Sequence, residues 1–180
     1  MLILSDVLPA LSLTTTTGFA GLVLGTASTL VRDRRTCLAI QAAGCILFAI
    51  HYACLGASTG TLMCALGLVQ MVTAFPDRRA RWVSALFIAT LPAGLGVAAM
   101  TWNGVMTALS AAGFVLGTIG RWQTSMTSMR SCYASATVLG AGHNALAGST
   151  FGLGSDALAL SGHLWSLWRM RSRRPAFAPA

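Results

Sequence analysis

The imidazoles of His51 and His143 and the carboxylate of Asp156 each set an ionisable group in an apolar stretch. Polar groups inside apolar segments are costly and usually face a bundle interior or a cavity. The histidines head two matching stretches, residues 51–60 and 143–152, each with Ala at the third place, Gly at the sixth, small or hydroxyl residues at the seventh and eighth, and Gly at the tenth. An imidazole titrates near neutral pH, so a histidine beside a carboxylate could sense or pass a proton. Two convergent imidazoles could instead ligate one metal ion or a haem iron. His143 lies five residues before Gly148 and Asp156 four after Gly152. At a rise of about 1.5 Å per residue, both are expected roughly 6–8 Å inside the turn between them, where they could face each other. Asn144 and Gln70 complete the candidate polar lining, and His163 follows Asp156 two turns on, along the same face.

What must position these groups is a duplicated unit. The offset of 92 residues between His51 and His143 holds without a gap: Gly21, Val23, Leu24, Gly25 and Thr26 recur as Gly113, Val115, Leu116, Gly117 and Thr118, and Ala65, Leu66 and Leu68 as Ala157, Leu158 and Leu160. Self-similarity at a fixed offset marks a repeated structural unit. Gln41, Gly44, Phe48 and His51 share a helical face by three-to-four spacing, and the offset carries them to Tyr133, Ala136, Gly140 and His143. The counterpart of Asp156 is Cys64, so one histidine is expected to have an acid nearby and the other is not. Gly21 and Gly25, like Gly113 and Gly117, are four apart, a spacing that lets helices pack closely or bend.

Composition places the duplicate in a bilayer. The chain is 55% apolar, has a mean hydropathy of +0.70 and is only 9% charged, far below the roughly one quarter usual in soluble chains. The net charge of +8 resides in arginines clustered between apolar runs, the pattern of topology signals and not of a nucleic-acid surface. The five cysteines show no metal-type pairing and read as small packing residues. The first eight residues lack a basic leader and a cleavage site, so no removable signal peptide is expected.

Seven apolar runs follow: 8–31, 37–55, 61–75, 82–102, 105–119, 131–147 and 153–168. A span takes about 20 helical residues, so the third and seventh are expected to extend into their flanks or tilt. Arginines follow runs one, three, five and seven (32–35, 78–81, 121–130 and 169–174), and none lie between runs two and three, four and five, or six and seven. That alternation predicts seven spans with the N-terminus outside and the C-terminus in the cytoplasm. Pro92 and its small neighbours invite a kink in the fourth run, and Trp82, Trp102, Trp122, Trp165 and Trp168 read as interfacial anchors. The predicted fold is an all-α membrane domain over 1–175. It consists of two parallel three-helix repeats (8–75 and 105–168) joined by a linker helix (82–102), a 3+1+3 plan, and a basic cytoplasmic tail at 169–180.

The run Arg32-Asp33-Arg34-Arg35, His51 with Leu55-Gly56, His143-Asn144 with Gly148-Ser149, and the closing Trp168-Arg169-Met170 resemble the YgjV family of bacterial inner-membrane proteins, in order and spacing, over nearly the whole chain. The resemblance implies a multi-pass protein of the inner membrane. It carries a Glu at the position of Asp156 and an Arg at the position of Gln70. It brings no settled activity. More distantly, the 3+1+3 plan is similar to SWEET sugar carriers and PnuC vitamin-precursor transporters, although the Pro-Gln motif of that wider group is absent here and glycines stand in the first helices instead.

The leading functional expectation is a transporter or facilitator of a small polar solute, with its site between the repeats, lined by His51, His143, Asn144, Asp156 and Gln70, and with Gly21, Gly25, Gly113 and Gly117 as helix-bending or packing glycines. The alternatives are a membrane protein that binds metal or haem through His51 and His143, and a structural protein without a ligand. No phosphate loop, HExxH motif or catalytic triad is present in the sequence, so no enzyme activity is expected. The transporter reading calls for no resident cofactor or metal and no nucleic-acid partner. It calls for the bilayer and the solute as partners, and it is compatible with a homo-oligomer.

Overall fold

The computed structural model describes residues 2–76 and 80–172, so Arg78 and Arg79 of the second basic cluster and Arg173 and Arg174 of the tail lie outside the described residues. The described residues form seven helices and no strand: α1 (Leu2–Leu30), α2 (Arg34–Cys54), α3 (Ser58–Ala74), α4 (Arg81–Met100), α5 (Gly104–Trp122), α6 (Met126–Leu146) and α7 (Thr150–Ser172). Each apolar run has its helix. α3 and α7 extend N-terminally into their turns, as their short runs required. α6 starts at Met126, five residues ahead of the apolar run at 131–147. α4 continues through Pro92.

Local chemistry sets the helix ends. Asp33 caps α2 by accepting from the Thr36 backbone N–H and hydroxyl, both at 2.7 Å. At the far ends of α2 and α6 the chain turns through Gly56 (φ 70°) and Gly148 (φ 67°), a left-handed conformation that glycine adopts without steric penalty. The Ala57 N–H then reaches back to the Tyr52 carbonyl at 2.9 Å, and the Ser149 N–H to the Asn144 carbonyl at 3.0 Å. Each is the six-to-one bond of a glycine-terminated helix.

Helices α1, α2, α3, α5, α6 and α7 pack in a closed ring, each against the next, and α7 returns to α1; α4 lies against α3 and α5. The polar and apolar residues are distributed as a bilayer demands. Gln70 and Thr107 have no exposed surface, whereas Phe19, Leu30 and Met100 are 58%, 67% and 88% exposed. α2, α4 and α5 are each long and apolar enough to cross a membrane, and α3 is apolar but shorter. Trp82, Trp102, Trp165 and Trp168, expected as interfacial anchors, are exposed. Trp122 departs from that expectation: it turns inward onto Phe87, with ring centroids 4.6 Å apart.

Candidate functional site

Inside the ring lie two adjoining cavity lobes of about 250 Å³ each, which share Cys45, Gly113, Arg121, Ala136 and Asp156 as walls. Their lining pairs residues 92 apart: Gly21 with Gly113, Gly25 with Gly117 and Gly44 with Ala136 in one lobe, Cys64 with Asp156 and Tyr52 with Asn144 in the other. The glycines lie where helices come close. A methyl on Gly21 would meet the Phe48 ring at 3.0 Å, and one on Gly25 would meet the Ser155 hydroxyl at 2.7 Å.

The two histidines are held in the same way. His51 Nδ1 lies 2.9 Å from the Thr14 carbonyl and His143 Nδ1 3.1 Å from the Met106 carbonyl, each 37 residues back. A carbonyl only accepts, so in both rings Nδ1 carries a proton, and in the neutral ring Nε2 is left as an acceptor. There the two histidines diverge. His51 Nε2 accepts from the Ser149 hydroxyl at 3.0 Å, and that same oxygen accepts from the Gly152 N–H at 3.0 Å. The counterpart of Ser149 is Ala57, which has no hydroxyl, and His143 Nε2 is buried without a partner beside Gly60.

A polar chain links α2, α6 and α7. The Tyr52 hydroxyl donates to Asn144 Oδ1 at 2.6 Å, and Asn144 Nδ2 donates to Asp156 Oδ2 at 2.7 Å. Tyr52 and Asn144 are 92 residues apart, so matched positions touch at this end of the cavity. At the other end of α2 and α6 another matched pair, Cys37 and Met129, shares a buried cluster with Tyr133. Fifteen residues separate Cys37 from Tyr52 on α2, roughly 22 Å of helix.

The sequence model of the Imp-YgjV family, described as "Bacterial inner membrane protein", matches residues 12–174. The chain belongs to this family. No curated protein and no solved structure matches it. The Imp-YgjV chain is thus a bacterial inner-membrane protein with apolar helices fit to cross a bilayer.

Of the residues that sequence reasoning singled out in this Imp-YgjV chain, His143, Asn144 and Asp156 do gather at one lobe. The expected His143–Asp156 pairing is replaced: the carboxylate is bonded to Asn144, and the free nitrogen of His143 has no partner. His51 stacks edge-on with Phe48 and Phe151 and spends both nitrogens within the packing. Its Nε2 is therefore engaged by Ser149 and is not directed to a ligand shared with His143. Among the described residues, no group of three or more His, Cys, Asp or Glu side chains is placed to hold a metal ion together. Gln70 does not line either lobe. It is fully buried, donates to Thr90 on α4 and Thr118 on α5 at 2.7 and 2.8 Å, and accepts from Arg121 at 2.6 Å. His163 lines one lobe, near the Tyr133 ring.

Three arginines act as more than topology signals. Arg34 donates to the Ala74, Arg121 and Gln123 carbonyls, and Arg130 to those of Thr29 and Val31; they satisfy the C-terminal ends of α3, α5 and α1. Arg121 turns into the cavity, where its guanidinium lies against Gly67 and Gly117. Two signals for it were in the sequence. It stands alone at the end of its run, nine residues from the next arginine, and it falls four residues after Gly117, on the same helical face. Cys45 and Cys64 also line the cavity.

Proposed function

We infer that this protein carries a small polar solute across the inner membrane, through a site on an axis between two direct three-helix repeats. The observation that carries this reading is the pairing of cavity-lining residues at a constant offset of 92. A cavity walled by equivalent residues from both halves is what a two-fold axis through the site produces, and transporter sites lie at repeat interfaces. The helix neighbours support the same plan. Under the offset, α1–α2 maps onto α5–α6, α2–α3 onto α6–α7, and α1–α7 onto α5–α3, while α4 has no counterpart. In this reading all seven helices span the bilayer in a 3+1+3 arrangement, with the N-terminus outside and the C-terminus inside, on the motivation of the arginine alternation. The contacts Tyr52–Asn144 and Cys37–Met129 are then the two ends of the path, of which one must open at a time.

Cys45 permits a test that needs no knowledge of the solute. In a variant with Cys37, Cys54, Cys64 and Cys132 replaced by Ser, membrane-impermeant thiol reagents should modify Cys45 when applied to either face of oriented vesicles. Full protection from both faces, with the protein folded, would refute a transport path through this cavity.

A further inference from the structure

The cavity holds a basic and an acidic side chain that are not bonded to each other. Asp156 is bonded to a neutral amide, Asn144, and Arg121 to another, Gln70, while the Arg121 Nε is buried without a partner. Both side chains line both lobes. Removing a cation and an anion from water without pairing them is costly, and the cost is offset when each finds a charged partner. The Arg121 side chain makes the choice pointed. A helical side chain leans toward the N-terminus of its helix, which at the end of α5 is toward the bundle centre and away from the membrane surface. Gly67 and Gly117 leave room for it: methyls there would meet the guanidinium at 3.4 and 3.2 Å.

The charges are also staggered. Arg121 lies beside Gly67 on α3, three residues beyond Cys64, the counterpart of Asp156. That is a step of roughly 4–5 Å along the axis. We propose that the site takes a small zwitterion, with its carboxylate on Arg121 and its ammonium on Asp156. Charge-assisted bonds of about 2.7–2.9 Å at each end would bridge two groups that the protein leaves apart. A planar guanidinium is suited to a carboxylate, and Asp156, held from behind by Asn144, keeps its other oxygen for an ammonium. Lobes of about 250 Å³ admit a solute the size of a small amino acid and lie below the usual range for larger ligands.

This inference rests on the transport reading, and a binding experiment separates the two. The purified full chain in nanodiscs is titrated calorimetrically with L-alanine, and with glycine, L-serine, L-proline and taurine as further zwitterions. Propionate and ethylamine serve as single-charge analogues. At least one zwitterion should bind, and each single-charge analogue of alanine should be weaker by about a hundredfold, the effect expected when one buried charge loses its partner. Arg121→Gln and Asp156→Asn should each cost a similar factor, and Arg121→Lys should recover part of it, which separates charge recognition from misfolding. Propionate bound as tightly as alanine, with Asp156→Asn neutral, would overturn the proposal in favour of a plain anion site. Binding of none of the five zwitterions would also overturn it. Labelling of Cys45 from both faces would still stand in that case, so failure of the solute class is distinguishable from failure of transport.

Discussion

Ala57→Ser should stabilise this protein, and Ser149→Ala should destabilise it. Ser149 has two roles: its hydroxyl donates to His51 Nε2 and accepts from the Gly152 N–H in the first turn of α7. Loss of the cap costs about 0.5–2 kcal/mol. Leaving a buried imidazole acceptor unsatisfied costs about 1–3 kcal/mol. Ser149→Ala should therefore cost about 2–4 kcal/mol, allowing for relaxation. At the matched position Ala57 caps α3 without a side-chain bond, and His143 Nε2 is already orphaned. A hydroxyl placed there as in the second half would cap the Gly60 N–H and donate to His143, a gain of about 1–2 kcal/mol. Equilibrium unfolding by steric trapping in bicelles would read both changes. A destabilising Ala57→Ser beside a costly Ser149→Ala would mean that positions 57 and 149 are not structural equivalents, and the two-fold argument would fail with them.

Other outcomes follow from single contacts. Gly18→Ala should cost about 1–3 kcal/mol, because the new methyl would lie 2.8–2.9 Å from the His51 and Phe151 rings, whereas Gly96→Ala, with open space around it, should be neutral or gain up to about 1 kcal/mol; parallel unfolding curves check both. Arg130→Lys should not restore what Arg130→Met loses, since two carbonyls at the end of α1 need a forked donor, and hydrogen exchange of the last turn of α1 should rise in both variants. Asp33 has its carboxylate held below the usual range by the Thr36 hydrogen bonds. The stability it contributes is present above the ordinary carboxylate pKa and is lost as pH falls through the lowered value. Asp33→Asn should flatten that part of an acid-unfolding profile.

The helices were legible because apolar runs of near-bilayer length are bounded by arginines or glycines. The start of α6 was not, because hydropathy registers the polarity of residues 126–130 and does not register that a helix can carry polar residues where it meets the interface. His143, Asn144 and Asp156 stood out because a polar side chain in an apolar segment has few bland uses. Their true connection was hidden, because the bond that Asn144 makes to Asp156 depends on the crossing of α6 and α7. Tyr52 could have been found by applying the offset to Asn144. Gln70 was misplaced because its partners, Thr90 and Thr118, come from helices that the sequence does not order in space. Arg121 was read as the end of a span because its inward direction depends on space left by a glycine on another helix.

The central claim is a cavity reached from one face at a time, closed at its ends by matched residues. Disulfide cross-links test it directly. In a chain carrying Tyr52→Cys and Asn144→Cys, oxidation should lock the outer end, and Cys45 should then react with impermeant reagent from the cytoplasmic face alone. In a chain carrying native Cys37 with Met129→Cys, the inner end should lock and Cys45 should react from the periplasmic face alone. The remaining cysteines would be replaced by Ser in both chains. Reaction of Cys45 from the same face whichever end is locked, or from both faces at once, would contradict the account.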